Sequence, residues 1–261
     1  MKYIYKEIIK ANGDVLRGVL NAPDDFDQGK KYPLLIFFHG LLDDRNGINY
    51  MSIQESKYLT SGGVLTLRFD FSATGESDGS IFDLTLTRQI EEGFLIYELA
   101  ESLPFVDSDN IFLRAHSMGS ATGISLASKL NPRGLILYGP GVYFDGDHNG
   151  LLKELGEIEN DPTRTDKSLD IGGLKLSTAL YKDCKKYNIL DLAGSYPGQV
   201  LIVRGEKDKV IRRADVEDLQ NAFPQARYIE IKDTAHNFTN EEKRLYLFDQ
   251  TYNFIKSTIK K

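Results

Sequence analysis

The stretch RAHSMGSATG, Arg114 to Gly123, places Ser117 between small residues where a buried-looking strand gives way to a helix rich in glycine and alanine. Such a junction can turn sharply enough to lift a serine hydroxyl out of the sheet as a nucleophile, a geometry that needs small residues two positions before and after it. Gly119 meets that need, and Ala115 adds one methyl where the usual pattern has glycine. A serine here could equally cap a helix, so the rest of the chain must decide. A hydroxyl attacks only when a base takes its proton, and the base in turn needs a carboxylate to hold its tautomer. Of four histidines, His236 follows the last strand-like run and precedes the final helix, and Asp208 follows another strand-like run. Both loops belong to the sheet edge that carries Ser117, which makes Ser117, Asp208 and His236 the candidate catalytic set. Glu206, in the same loop as Asp208, is the reserve acid. The developing oxyanion needs backbone N–H donors; Met118, after the nucleophile, and Leu41, after FFHG, are the candidates. His39 is expected to hold the Leu41 loop by hydrogen bonds, and His116 to point into packing.

Positioning these loops takes alternating strands and helices. Val15 to Asn21 and Tyr3 to Ile9 read as an antiparallel pair joined at Asn12 to Asp14. Strand-like runs then cover Tyr32 to Gly40, Gly63 to Phe71, Asn110 to Ser117, Arg133 to Pro140, Gly198 to Asp208 and Ala226 to His236. Most lack polar alternation, the mark of strands covered on both faces. Helical patterns lie around Ile53 to Leu59, Leu86 to Leu103, Met118 to Leu130 and Asp215 to Ala222. In the last helix Leu245, Phe248, Tyr252, Ile255 and Ile259 form one apolar stripe to pack on the sheet. The pattern is that of an α/β fold with a mainly parallel sheet flanked by helices. The interval 141–197 is too long for a simple crossover and reads as an insertion: a polar loop, an acidic stretch, and a helix within LKLSTALYKDCKKYNIL. Its aromatics Tyr143, Phe144 and Tyr181 are candidate pocket residues. The whole chain, 1–261, reads as one domain with this insertion as a lid.

Composition narrows the partners. A formal net charge of −6, with no basic cluster among aromatics, argues against nucleic acid. The single cysteine, Cys184, allows no internal disulfide and no cysteine-based metal site. The N-terminus lacks a signal-peptide apolar region, and no apolar run is long enough to span a membrane, so a cytoplasmic location without membrane association is expected. DGDHNG, Asp145 to Gly150, imitates the start of a calcium loop, but Gly156 stands where the closing glutamate belongs, and no metal is expected there.

The order Ser117, Asp208, His236 is that of α/β-hydrolases. With FFHGLLDDRN, LRFDFSATGESDG, AHSMGS, GEKDKVI and DTAHNF in sequence, the chain resembles that superfamily over nearly its whole length, and within it the small bacterial feruloyl and cinnamoyl esterases. The resemblance implies Ser117 as nucleophile, His236 as base, Asp208 as its partner, a short lid that shapes the acyl pocket, and no cofactor. Its departures are Ala73 and Ala115, alanines where that family has glycine, and a first half of the insertion that does not match. The expected activity is hydrolysis of esters of small or aromatic acids through an acyl-enzyme. A peptidase or thioesterase with the same triad, or a catalytically silent binding protein on this fold, are the other readings.

Overall fold

The computed structural model describes residues 1–144 and 148–260. Strand β1 (Lys2–Ile9) and strand β2 (Val15–Ala22) form the expected antiparallel pair, closed by a turn in which Gly13 takes φ +90°. Strands β3 (Tyr32–Phe38), β4 (Leu65–Phe69), β5 (Val106–His116), β6 (Gly134–Tyr138), β9 (Gln199–Gly205) and β10 (Ala226–Ile231) continue the sheet. Its order is β1-β2-β4-β3-β5-β6-β9-β10, with β2 antiparallel to β4 and every later pair parallel.

The unbroken apolar runs are explained by two cores. Leu34, Ile36 and Phe38 face one side with helices α2 (Leu86–Ser102), α3 (Gly119–Leu130), α6 (Ile189–Gly194) and α7 (Arg213–Ala222). Leu35 and Phe37 face the other with α1 (Met51–Ser61) and α8 (Glu241–Thr258). Successive strand residues point to opposite faces, so a strand buried on both sides has no polar position to spare.

Two expectations are corrected. In α8, Phe248 and Ile255 are buried, but Leu245 is 51% exposed. Arg244 takes the inward place instead, donating to the carbonyls of Phe238 (2.6 Å), Asn49 (2.9 Å) and Ile48 (2.9 Å). The Phe238 carbonyl is buried and needs a donor, and Arg244, not Leu245, takes the inward position that supplies it. In the insertion, α4 (Gly150–Asn160) occupies part of the stretch read as loop and acidic segment, with Leu152, Leu155 and Ile158 buried. The helix expected within 174–190 is three elements. It opens as β8 (Leu174–Ser177), paired with β7 (Ser168–Ile171) across Gly172 and Gly173 at φ +60° and +88°. Helix α5 (Ala179–Cys184) follows, and Asn188 caps α6 by accepting from Asp191 N–H. A paired-glycine turn beside alternating residues makes a hairpin, and a mid-run asparagine cap restarts a helix.

Candidate active site

All the candidate loops leave the carboxyl ends of parallel strands. Ser117 directly follows β5 and sits at φ +53°, the left-handed conformation of a strained turn. The turn is held by backbone: Ser117 N–H donates to Tyr138 O (2.9 Å), and Ser117 O accepts from Ser120 N–H and Gly141 N–H (each 3.0 Å). A Cβ on Gly119 would press on the carbonyl oxygen of His39 and stand 2.7 Å from that of Phe38, so α3 can start against β3 only with glycine there.

The structure brings the three sequence-predicted groups together. His236 Nε2 lies 3.0 Å from Ser117 Oγ, and His236 Nδ1 lies 2.8 Å from Asp208 Oδ2. Ser117 is half-buried, and Asp208 and His236 are buried. The other Asp208 oxygen, Oδ1, accepts from Val210 N–H (2.8 Å) and Ile211 N–H (2.9 Å). Burial alone would push the Asp208 carboxyl up; the His236 hydrogen bond and charge, aided by those two donors, outweigh it and hold the group below the usual carboxylate range. With a depressed folded-state value, its contribution to stability is full above about pH 4 and is lost as pH falls through that lower value. The reserve acid, Glu206, is engaged elsewhere, accepting from Asp233 N–H at 2.9 Å.

The candidate oxyanion donors flank the serine. A Cβ on Gly40 would lie 3.1 Å from Ser117 Cβ, so the loop carrying Leu41 abuts Ser117. Among the described residues, neither Leu41 N–H nor Met118 N–H donates to a backbone acceptor outside the regular elements. His39 ties this loop to the one after β4. Its Nε2 accepts from Phe71 N–H (3.1 Å), which assigns the proton to Nδ1, and Nδ1 donates to Gly40 O (2.9 Å).

Several positioning groups escaped the sequence. His116 does not merely fill space: its ring stacks on that of His236, with centroids 5.1 Å apart and planes at 30°. Burial drives its imidazole well below the ordinary value, with the charges of His236 and Arg114 adding to the effect, so it stays neutral beside His236. Arg204 holds the acid loop from below, donating to Asp208 O (2.8 Å) and Ile211 O (2.9 Å). Gly139, at φ +48°, passes so close that a Cβ would stand 2.9 Å from His236 Nδ1. The only sequence signals were an arginine at the end of β9 and a glycine after β6. Neither names a partner without the fold.

The three aromatic pocket candidates are not brought together. Tyr143 stacks on His148 (centroids 4.3 Å apart), donates to Asp218 Oδ2 (2.8 Å), and lines a cavity of about 310 Å³ with Gly141, Val142, Leu151 and Ile211. Phe144 is buried in the core. Tyr181 packs where a Cβ on Gly156 would meet its ring, beneath Lys185 Nζ at 4.0 Å. Asp145 and Asp147 of the calcium-like motif lie outside the described residues, and among those described no group of three or more acidic, histidine or cysteine side chains could hold a metal ion. No described helix is long and apolar enough to cross a membrane.

The two alanine departures have different consequences. Ala115 is fully buried, and its Cβ stands 3.0 Å from the place where Gly123 would carry one, so the extra methyl occupies space that Gly123 leaves open. Gly123→Ala is therefore expected to destabilise the fold by about 1–3 kcal/mol, as overpacking does. Ala115→Gly in the same chain should restore most of that loss in urea unfolding, and purely additive effects would disprove the coupling. Ala73 sits at φ +65°. Left-handed backbone costs an L-residue about 1–2 kcal/mol, while glycine costs about 0.4–1 kcal/mol in unfolded-state entropy. Ala73→Gly should stabilise by about 0.5 kcal/mol, read as a higher urea midpoint at unchanged slope.

No family model matches the chain, and no curated protein matches it in sequence. Solved structures do match in shape. Ferulic-acid-bound Est1E from Butyrivibrio proteoclasticus superposes with TM-score 0.83 at 22% identity, covering 100% of both chains. The α/β hydrolase GrgF from Penicillium sp. sh18 gives 0.77 at 17%, covering 99% of each. Alpha/beta hydrolase domain-containing protein 10 from mouse gives 0.74 at 17%, covering 97% of this chain and 99% of that one. The chain has the α/β-hydrolase fold.

Proposed function

We propose that the chain is a serine hydrolase of carboxylic esters, acting on small or aromatic acids. The observation that carries this reading is the continuous line of contacts from Ser117 Oγ through His236 to Asp208, at 3.0 and 2.8 Å. His236 Nε2 takes the Ser117 proton as Oγ attacks the ester carbonyl, and Asp208 stabilises the imidazolium that forms. The N–H groups of Leu41 and Met118 receive the oxyanion. As the tetrahedral intermediate collapses, the alkoxide leaves with the proton from His236. A water deprotonated by the same base then releases the acid and restores Ser117. Every bond change is served by these side chains, so the reaction as written uses no cofactor. A lid formed by the 141–197 insertion would stand beside this site: the cavity walled by Tyr143 and Leu151 is also lined by Gly141, whose N–H donates to Ser117 O at 3.0 Å. The likeness to Est1E, solved with ferulic acid bound, supports an aromatic acyl group.

The test is a series of p-nitrophenyl esters and methyl ferulate run beside a matched anilide and a thioester, with a fluorophosphonate to label the nucleophile. Turnover of the oxygen esters, with the phosphonyl mass on the peptide containing Ser117, is the expected result. Preference for the anilide or the thioester would reassign the leaving group, and absence of both turnover and label would leave a binding protein.

A further inference from the structure

Strand β1 ends the sheet, and among the described residues the only strand it pairs with is β2. It is eight residues long, contains no proline, and pairs with β2 without a bulge, Lys2 to Ile9 against Ala22 to Val15. An edge of this length presents a row of open backbone donors and acceptors. One face of it also carries bare apolar side chains: Tyr3 is 48% exposed, Tyr5 75% and Ile9 75%. The other edge strand, β10, is shorter, and only Arg227 is exposed on it; Glu230 is half-buried and paired with Arg204 and Arg213.

We infer that β1 is a docking edge for a second copy of this chain, the two β1 strands running antiparallel about a two-fold axis centred on Tyr5. The charges of the strand select the partner and the register. A two-fold axis that joins two sheets edge to edge stands perpendicular to them, so odd-numbered residues oppose odd ones and even oppose even. Centring on Ile4 sets Lys2 against Lys6; centring on Lys6 or on Glu7 sets that residue against its own copy. Like charges directly opposite destabilise a pair. Centring on Tyr5 avoids all of these: Tyr5 meets Tyr5, Tyr3 meets Glu7, Ile4 meets Lys6 and Lys2 meets Ile8. The tyrosine hydroxyl can donate to the Glu7 carboxylate, and the paired Tyr5 rings cover each other's apolar faces. Lys2 and Lys6 are of the kind that guard edges against arbitrary pairing; a centre on Tyr3 also avoids like charges but pairs only Lys2 to Ile4, whereas the centre on Tyr5 pairs Lys2 to Ile8. The Ser117 site lies on loops after β3, β5, β6, β9 and β10, so the edge and the site are separate features and this inference does not rest on the proposed activity.

Sedimentation of the full chain over a concentration series is expected to show a monomer–dimer equilibrium, and Tyr5→Lys, which puts like charges on the axis, to weaken it by at least about tenfold. Opposed residues in an antiparallel pair hold their Cα atoms about 4.5–5.5 Å apart, within disulfide reach. Tyr5→Cys should therefore oxidise to a covalent dimer, and a mixture of Tyr3→Cys and Glu7→Cys chains should link to each other but not to themselves. The native Cys184 does not interfere: it is buried, and burial pushes its thiol up to about 12. Thermal melting of each variant verifies that it is folded, and the cysteine pairs decide the question where Tyr5→Lys does not fold. A monomer throughout the series, a dimer indifferent to Tyr5→Lys, or self-linking of Tyr3→Cys as fast as Tyr5→Cys would overturn the proposal.

Discussion

Ser117→Ala is expected to lower kcat/KM for p-nitrophenyl acetate by about 10⁶-fold, with the far-ultraviolet circular dichroism unchanged. The size follows from the site's geometry. His236 and Asp208 keep their 2.8 Å contact in the variant, and the Leu41 and Met118 donors stay where they are, but no oxygen remains for the base to activate. The turn itself is built from the backbone of residue 117, whose N–H meets Tyr138 O and whose carbonyl accepts from Ser120 and Gly141. Alanine preserves those bonds and carries the same Cβ at φ +53°, so stability should move by less than about 1 kcal/mol. Residual turnover would measure the oxyanion donors and substrate binding alone, and the fluorophosphonate should no longer attach. Full activity in this variant would remove Ser117 from the mechanism.

Asp208→Asn should cost about 10⁴-fold in kcat, and the reason lies in the oxygen that does not touch histidine. Val210 and Ile211 both donate N–H to Oδ1. An asparagine must keep its carbonyl oxygen there, because its amide nitrogen has no lone pair to accept them. That forces Nδ2 toward His236 Nδ1, which must then present a lone pair and move its proton to Nε2. The ring would be in the correct place and in the wrong tautomer, unable to take a proton from Ser117. Asp208→Ala removes this constraint while losing the anchor, so asparagine should be at least as damaging as alanine near pH 7. An asparagine variant within tenfold of the parent chain would show that Asp208 does not set the tautomer. Kinetics on one chromogenic ester settle the comparison.

Much of this architecture is legible in residue order because the physics behind it is local. Runs such as LLIFF have no polar position because both faces of β3 are covered. Asn12–Gly13 closes the first hairpin because glycine there tolerates positive φ. Ser117, Asp208 and His236 are readable because each stands just after a strand-like run, and parallel strands deliver such positions to one edge. Where local signals compete, the reading fails. Leu245 fits an apolar stripe by spacing, yet the inward place at the start of α8 belongs to Arg244, whose guanidinium serves carbonyls from loops nearly two hundred residues away in the chain. The insertion misleads in the same way. LKLSTALYKDC looks helical throughout until Gly172 and Gly173 fold its first residues back onto β7.

The sequence by itself determined the fold class and the three candidate groups with their order, since hydrophobic periodicity and strand-end position are properties of short segments. Tertiary structure alone decided which carboxylate faces His236. Asp208 and Glu206 stand two residues apart, and only the docking of the β9 and β10 loops sends one to the imidazole and the other to Asp233 N–H. It decided that His116 lies against His236, that Arg204 braces the Asp208 loop, and that of the three pocket candidates Tyr143 alone lines the cavity beside Gly141. It also settled the opening irregularity of AHSMG. The methyl of Ala115 is accommodated because Gly123, in the helix that follows, carries none; a Cβ there would stand 3.0 Å from it. Such complementarity depends on distances between segments, and no segment records it alone.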